Sequence, residues 1–302
     1  MSRLPSWVIV AAVGIVLVLA AADAIRPTTE ESASKSSTKT SSPTTSSPGL
    51  PGVIVLGPNC KSLKAIRLQG LSEIQIPEQT DCDGLVWSND RSLYASCIGA
   101  DTVVGTSDGQ RRARLPGCAP AWREDGALGI VRAGSLIVAR THGHPVELLS
   151  RRALGEQLRG VVERPETYRL TQISWIGLNR FAALVHGAQP WEEALVVFST
   201  TGRLEQALTQ NGAGIADLRV SPQGDYLAFA RTALGRRFVI TGIDTTTNVL
   251  LPRIGNALNV AWSPDETRVA ISTRDTTYVA EPGAKHPILE IPFGGRYLTW
   301  LP

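Results

Sequence analysis

The sequence predicts an all-β fold: a six-bladed β-propeller closed by N-terminal strands pairing with the C-terminal strand, preceded by a transmembrane helix and a disordered linker. Three observations lead there. A short phrase, an apolar run ending at Trp followed by a polar turn and a second apolar run, recurs along the chain. Its period of roughly 40 residues is that of four-stranded blades, and helical spacing is absent from it. The first 52 residues differ in composition from everything after them.

In chain order, residues 1–26 come first. From Leu4 to Ala22 no residue is charged, 19 in a row, close to the roughly 20 that cross a bilayer as a helix. The segment reads as a signal-anchor, which leaves the bulk of the chain outside the cytoplasm. Ala22-Asp23-Ala24 also fits a small-x-small cleavage site, so secretion after cleavage near Ala24 is the alternative. Residues 27–52, "PTTEESASKSSTKTSSPTTSSPGLPG", are Ser, Thr and Pro with few apolar side chains. Such a stretch cannot offset its backbone entropy by burial and is expected to be a disordered tether.

The remainder, 53–302, is expected to be the propeller domain. Residues 53–77 offer three strand-like runs. Then come "GLVWSNDRSLYASC" (84–97), "APAWREDGALGIVR" (119–132), "QISWIGLNRFAALV" (172–185), "DLRVSPQGDYLAFA" (217–230) and "NVAWSPDETRVAIS" (259–272), with a truncated "RYLTW" (296–300). The anchor positions Trp87, Trp122, Trp175, Val220, Trp262 and Trp300 are separated by 35, 53, 45, 42 and 38 residues. Each copy reads as a hairpin, since Pro presets the first central turn dihedral and Gly126 or Gly224 supplies the left-handed one. Two further strand-like runs follow each hairpin, as in "FVITGID" and "NVLLP". Five complete blades then need a sixth made of the last strand and the first three, which removes the open edges of a linear array.

The stretches "VSPQGDYLAF" and "WSPDETRVAI" resemble the TolB-like, WD40-like (PD40-type) propeller repeat, whose consensus runs Trp-Ser-Pro-Asp-Gly into an alternating strand. The resemblance spans about 84–302 as periodicity and implies a propeller. Glu266 stands where the repeat has its turn glycine, "WIGLNR" lacks the turn chemistry, and the N-terminal α/β domain of TolB has no counterpart.

Four cysteines in an exported chain are expected to be oxidised. Cys60 and Cys97 each follow a second strand, while Cys82 and Cys118 each precede the next blade's first strand, at spacings of 22 and 21. Those positions share one rim, so the pairs Cys60–Cys82 and Cys97–Cys118 are expected, each joining neighbouring blades.

Chemistry-bearing signals are sparse. There is no His-Glu-x-x-His, no P-loop and no Gly-x-Gly-x-x-Gly. His142 and His144 in "THGHP" lack a nearby third ligand, so no metal site and no cofactor are expected. Asp81 and Asp83, with Asp217 and Asn259 on inner strands, are the channel-face candidates; turn formation is the competing reading. Between the second and third copies, Leu148, Leu154, Leu158 and Val161 fall at helical spacing after Ser150, a candidate N-cap, with Gly160 near the end. Arg151, Arg152, Arg159, Glu166 and Arg169 on that insertion are candidate partner contacts, against the reading of a solvated face. A net charge of +3 with scattered Lys and Arg argues against nucleic acid. The expected function is a non-enzymatic, extracytoplasmic, membrane-tethered binding or scaffold module for an envelope protein or glycan. The alternative is a lactonase- or glycosidase-like propeller hydrolase with its site at the central channel.

Overall fold

The computed structural model describes residues 53–57, 63–67, 70–74 and 85–301, except 91, 107–109, 141–142, 210–213, 233–235, 245–247 and 252–253; for 53–74, 248–250 and 301 it describes backbone alone. The anchor, the linker, Cys60, Asp81, Cys82, Asp83 and His142 lie outside the described residues. Among the described residues no helix is long and apolar enough to cross a membrane.

The chain opens with β1 (Val53–Gly57), β2 (Leu63–Arg67) and β3 (Gly70–Ile74). Blade I follows as β4 (Val86–Trp87), β5 (Leu93–Ile98), β6 (Asp101–Thr106) and β7 (Arg111–Pro116). Blade II is β8 (Cys118–Trp122), β9 (Leu128–Arg132), β10 (Ser135–Ala139) and β11 (Val146–Leu149). After α1 (Arg151–Gln157) and a single 3-10 turn at Pro165–Thr167 comes blade III: β12 (Arg169–Ile176), β13 (Arg180–His186), β14 (Glu193–Ser199) and β15 (Leu204–Thr209). Blade IV is β16 (Ile215–Val220), β17 (Tyr226–Arg231), β18 (Arg237–Gly242) and β19 (Asn248–Leu250). Blade V is β20 (Asn259–Trp262), β21 (Val269–Ser272), β22 (Thr277–Ala280) and β23 (Leu289–Ile291), and β24 (Tyr297–Leu301) ends the chain.

Each blade is an antiparallel meander in chain order. Five blades are therefore made of consecutive strands, one fewer than the six expected from the sequence. The remaining four-stranded sheet is composite, in the order β24-β1-β2-β3. Its two chain ends meet in register, with Val53 opposite Leu301, Ile54 opposite Trp300 and Gly57 opposite Tyr297.

In blades I, IV and V the turn after the inner strand is built by its serine. Ser88 donates to Asp90 Oδ1 at 2.6 Å and accepts from the Leu93 N–H at 3.0 Å. Ser263 repeats both bonds with Asp265 at 2.6 Å and Arg268 at 2.9 Å, and Ser221 accepts from Tyr226 at 3.0 Å. These hydroxyl bonds hold the Asp90 and Asp265 carboxyls below the ordinary carboxylate range. Gly126 and Gly224 take the left-handed turn position at φ of 79° and 86°. Glu266 takes the same position at 59°. Its carboxylate accepts the Gln223 N–H of the preceding blade's turn, a compensation for the strain that glycine would avoid.

Hydrophobic cores lie between blades, as expected of packed sheets. Ala121 of blade II packs with Trp175 and Phe181 of blade III. Leu218 of blade IV packs with Ile176 of blade III, and Trp262 of blade V with Ala228 of blade IV. Close approach matters at Gly129, where a Cβ would sit 2.5 Å from Ile173 Cδ1 and 3.0 Å from Trp175 Cζ2. The expected insertion helix is α1. Ser150 Oγ caps it by accepting from Ala153 N at 3.1 Å, and Leu154 and Leu158 are fully buried over the blade II and III core.

Candidate functional site

The last residues of β4, β8, β12, β16, β20 and β24 converge on a cavity of about 430 Å3. All six anchor positions, Trp87, Trp122, Trp175, Val220, Trp262 and Trp300, line it. It opens where the first strands end, at the far end of β8 from Cys118. Ser88, Pro222 and Pro264 from the turns form its mouth.

The indoles act mainly as walls between blades. Trp175, Trp262 and Trp300 are each only 7% exposed, too little to offer a stacking face. Trp175 Nε1 donates to the Ala121 carbonyl of blade II at 2.9 Å, and Trp262 Nε1 reaches the Arg219 carbonyl of blade IV at 3.4 Å. Around the ring, Trp87 bonds the buried phenol of Tyr297 on β24, tying blade I to the chain end. Burial pushes that phenol's pKa strongly up, opposed in part by its bonds to Thr299 and Trp87 and by the charge of Arg219.

The residue before each anchor also lines the channel: Val86, Ala121, Ser174, Arg219, Ala261 and Thr299. Five of these are small or short, and Arg219 alone carries charge. A β-bulge delivers it. Register shifts between Ala216 and Arg219, Asp217 takes φ 53°, and the strand beyond is turned toward the channel. Ala119, at the matching place in β8, has φ 52°. Arg219 Nη1 donates to the Leu218 carbonyl at 3.0 Å, and among the described residues no carboxylate pairs with it. The sequence reading passed over Arg219, although "DLRV" stood in the aligned repeat; only the ring arrangement singles out that position.

The expected channel-face residues sit elsewhere. Asp217 pairs with Arg236, whose guanidinium also bonds the carbonyls of Ala257 at 2.9 Å and Leu258 at 3.1 Å. Asn259 is buried, donating to the Arg296 carbonyl at 3.1 Å and accepting from Val260 at 2.8 Å. Both tie neighbouring inner strands and neither lines the cavity. Cys97 and Cys118 form the expected disulfide, joining β5 to β8 with Cα atoms 5.2 Å apart.

On α1 and after it, Arg151, Arg152, Arg159, Glu166 and Arg169 are all exposed, and Arg152 pairs with Glu156 at 3.2 Å. They share a surface without converging on one point. His144 is exposed, and among the described residues no three metal-ligating side chains cluster. Gly105-Thr106-Ser107-Asp108-Gly109 has nucleophile-elbow spacing, but the strands on either side of it, β6 and β7, pair antiparallel, whereas an elbow leads from a strand into a helix.

No protein-family model matches the chain, and no curated protein matches it in sequence. Solved structures match in fold. TolB from Acinetobacter baumannii aligns at a TM-score of 0.60 with 13% identity, over 84% of this chain and 67% of that one. A chain of the mitotic checkpoint complex aligns at 0.52 with 12% identity, over 79% of this chain and 77% of that one. With its antiparallel blades, its Trp-Ser-Pro-Asp hairpins and this likeness, the chain is a β-propeller with the fold seen in TolB.

Proposed function

We propose that this protein is a non-enzymatic, extracytoplasmic propeller, tethered to a membrane by residues 1–52, that binds a protein or envelope-glycan partner at its channel. In this reading the composite sheet serves as a sixth blade. The observation that carries it is the cavity itself: about 430 Å3 of concave space, its wall mixed polar and apolar, where all the inner strands converge, within the size range of ligand sites. Support for binding over catalysis is the sparse chemistry of the wall. Among the described residues Glu124 and Arg219 are its only charged side chains, not the paired carboxylates of a glycosidase. The apolar 4–22 segment and the disulfide favour an exported domain. One of the similar propellers belongs to a multiprotein complex, which favours a protein partner. The α1 surface with Arg151, Arg152, Arg159, Glu166 and Arg169 is a second candidate contact face; Asp81 and Asp83, outside the described residues, stay candidates on sequence grounds.

The test is capture of envelope components by the full-length chain, compared with Val220→Trp, which crowds a further indole into the channel. A partner retained by the wild type and lost by the variant supports the reading. Equal retention sinks it, and turnover of a lactone or glycoside by the wild type would replace it with the hydrolase alternative.

A further inference from the structure

Building on the channel as the binding site, we propose that its occupant is an extended protein segment that presents a carboxylate to Arg219. Four features of the wall converge on this chemistry. First, Arg219 is the only cation in the wall, and among the described residues it has no acidic partner. A guanidinium in a concave site gains most from a carboxylate, because the planar fork matches two oxygens and the walls shield the pair in part from water. Second, the remaining residues of its ring, Val86, Ala121, Ser174, Ala261 and Thr299, are small, so a side chain entering from the mouth has room to reach it.

Third, several of the polar groups that a sugar would use are already engaged. Ser174 Oγ accepts from the Val220 N–H at 3.1 Å, Ser88 and Ser221 hold their turns, and the indoles of Trp87, Trp175 and Trp262 bond neighbouring strands. A polyhydroxylated ligand buried here would leave many hydroxyls unpaired, at a cost for each. A peptide segment carrying one acid, with both polar and apolar groups, matches a mixed wall with one cation. Fourth, Glu124 at the mouth opposes a polyanion, which favours a single carboxylate over a charged polymer.

The experiment pans a display library of random heptapeptides on the full-length chain, then measures binding of the selected peptides by fluorescence polarisation. Peptides that depend on the channel are those that Val220→Trp no longer binds. We expect these to carry Asp or Glu, and to bind about tenfold or more weakly when that acid is changed to its amide or when Arg219→Gln is introduced. Making both changes together should weaken binding little further than either alone. Arg219→Lys should restore part of the loss, and matching thermal melts show that the variants are folded. Channel-dependent peptides without an acid, or with undiminished affinity for Arg219→Gln, overturn this proposal while leaving the channel as a binding site. A library yielding nothing that Val220→Trp abolishes removes both. An N-acetylglucosamine oligosaccharide that binds the wild type and Arg219→Gln equally would assign the channel to glycan instead.

Discussion

At the scale of single residues, the repeat tolerates substitution wherever a different side chain can supply the same bond. Blade II has Arg123 where blades I, IV and V have serine, and it holds its turn with charge. Arg123 is only 8% exposed, lies 5.0 Å over the Trp175 ring, and bonds Asp125 twice, at 2.8 and 2.7 Å. The Arg123 hydrogen bonds draw the Asp125 pKa down from 3.8 to about 2. A carboxyl whose pKa is lower in the folded state than in the unfolded one stabilises the fold above its unfolded value. That contribution is whole above pH 3.8 and is lost as pH falls through about 2. Asp125→Asn should lower stability at neutral pH by about 1 kcal/mol, a modest figure because the carboxylate is partly open to solvent. Melting temperatures between pH 5 and about 2 check it: the wild type should lose more over this range than the variant, and identical slopes would refute the assignment.

Hairpins were the elements most legible from sequence, because an apolar run, a Ser-Pro-Asp or Glu-Asp-Gly turn and an alternating run are each local signals. Helix α1 was equally readable, since Ser150 caps it and Leu154 and Leu158 mark its buried face. What sequence could not supply was the side of an inner strand that each residue faces, because a bulge at Asp217 or Ala119 shifts the alternation by one. That is why Asp217 was expected in the channel and Arg219 was not; Asn259 opens the regularly paired β20, away from the Trp262 end that lines the cavity. The Cys97–Cys118 pair followed from strand order alone, which needs no side-chain direction. It closes a loop with a sequence separation of 21 between adjacent blades. Replacing both cysteines with serine should cost about 3 kcal/mol on chain-entropy grounds. Denaturant titration of oxidised wild type against the double variant measures this, and a difference near zero would mean that the blade I–II contact holds its geometry unaided.

For the whole molecule, the channel exists only because the ring is closed. Each inner strand leans on the one before it through an indole or its substitute, and β24 completes the circuit by pairing with β1 on one side and meeting Trp87 through Tyr297 on the other. Leu298 and Trp300 also bury against Ala261, Ala270 and Val279 of blade V. Removing residues 296–302 therefore strips a core from blade V, the Tyr297 tie from blade I and the ladder partner from β1 together. It leaves two unpaired sheet edges in a chain that otherwise has its inner edges packed in a circle. Those losses far exceed the few kcal/mol by which domains of this kind are stable. The truncated chain is expected to lose its cooperative melt and to aggregate on size-exclusion chromatography. Leu298→Ala, which removes one buried side chain and keeps the ladder, should remain monodisperse and melt lower by an amount equivalent to about 2–4 kcal/mol. If the truncated chain melted like the wild type, the chain ends would not be what holds the ring shut, and the channel would have to be stabilised by blades I–V alone.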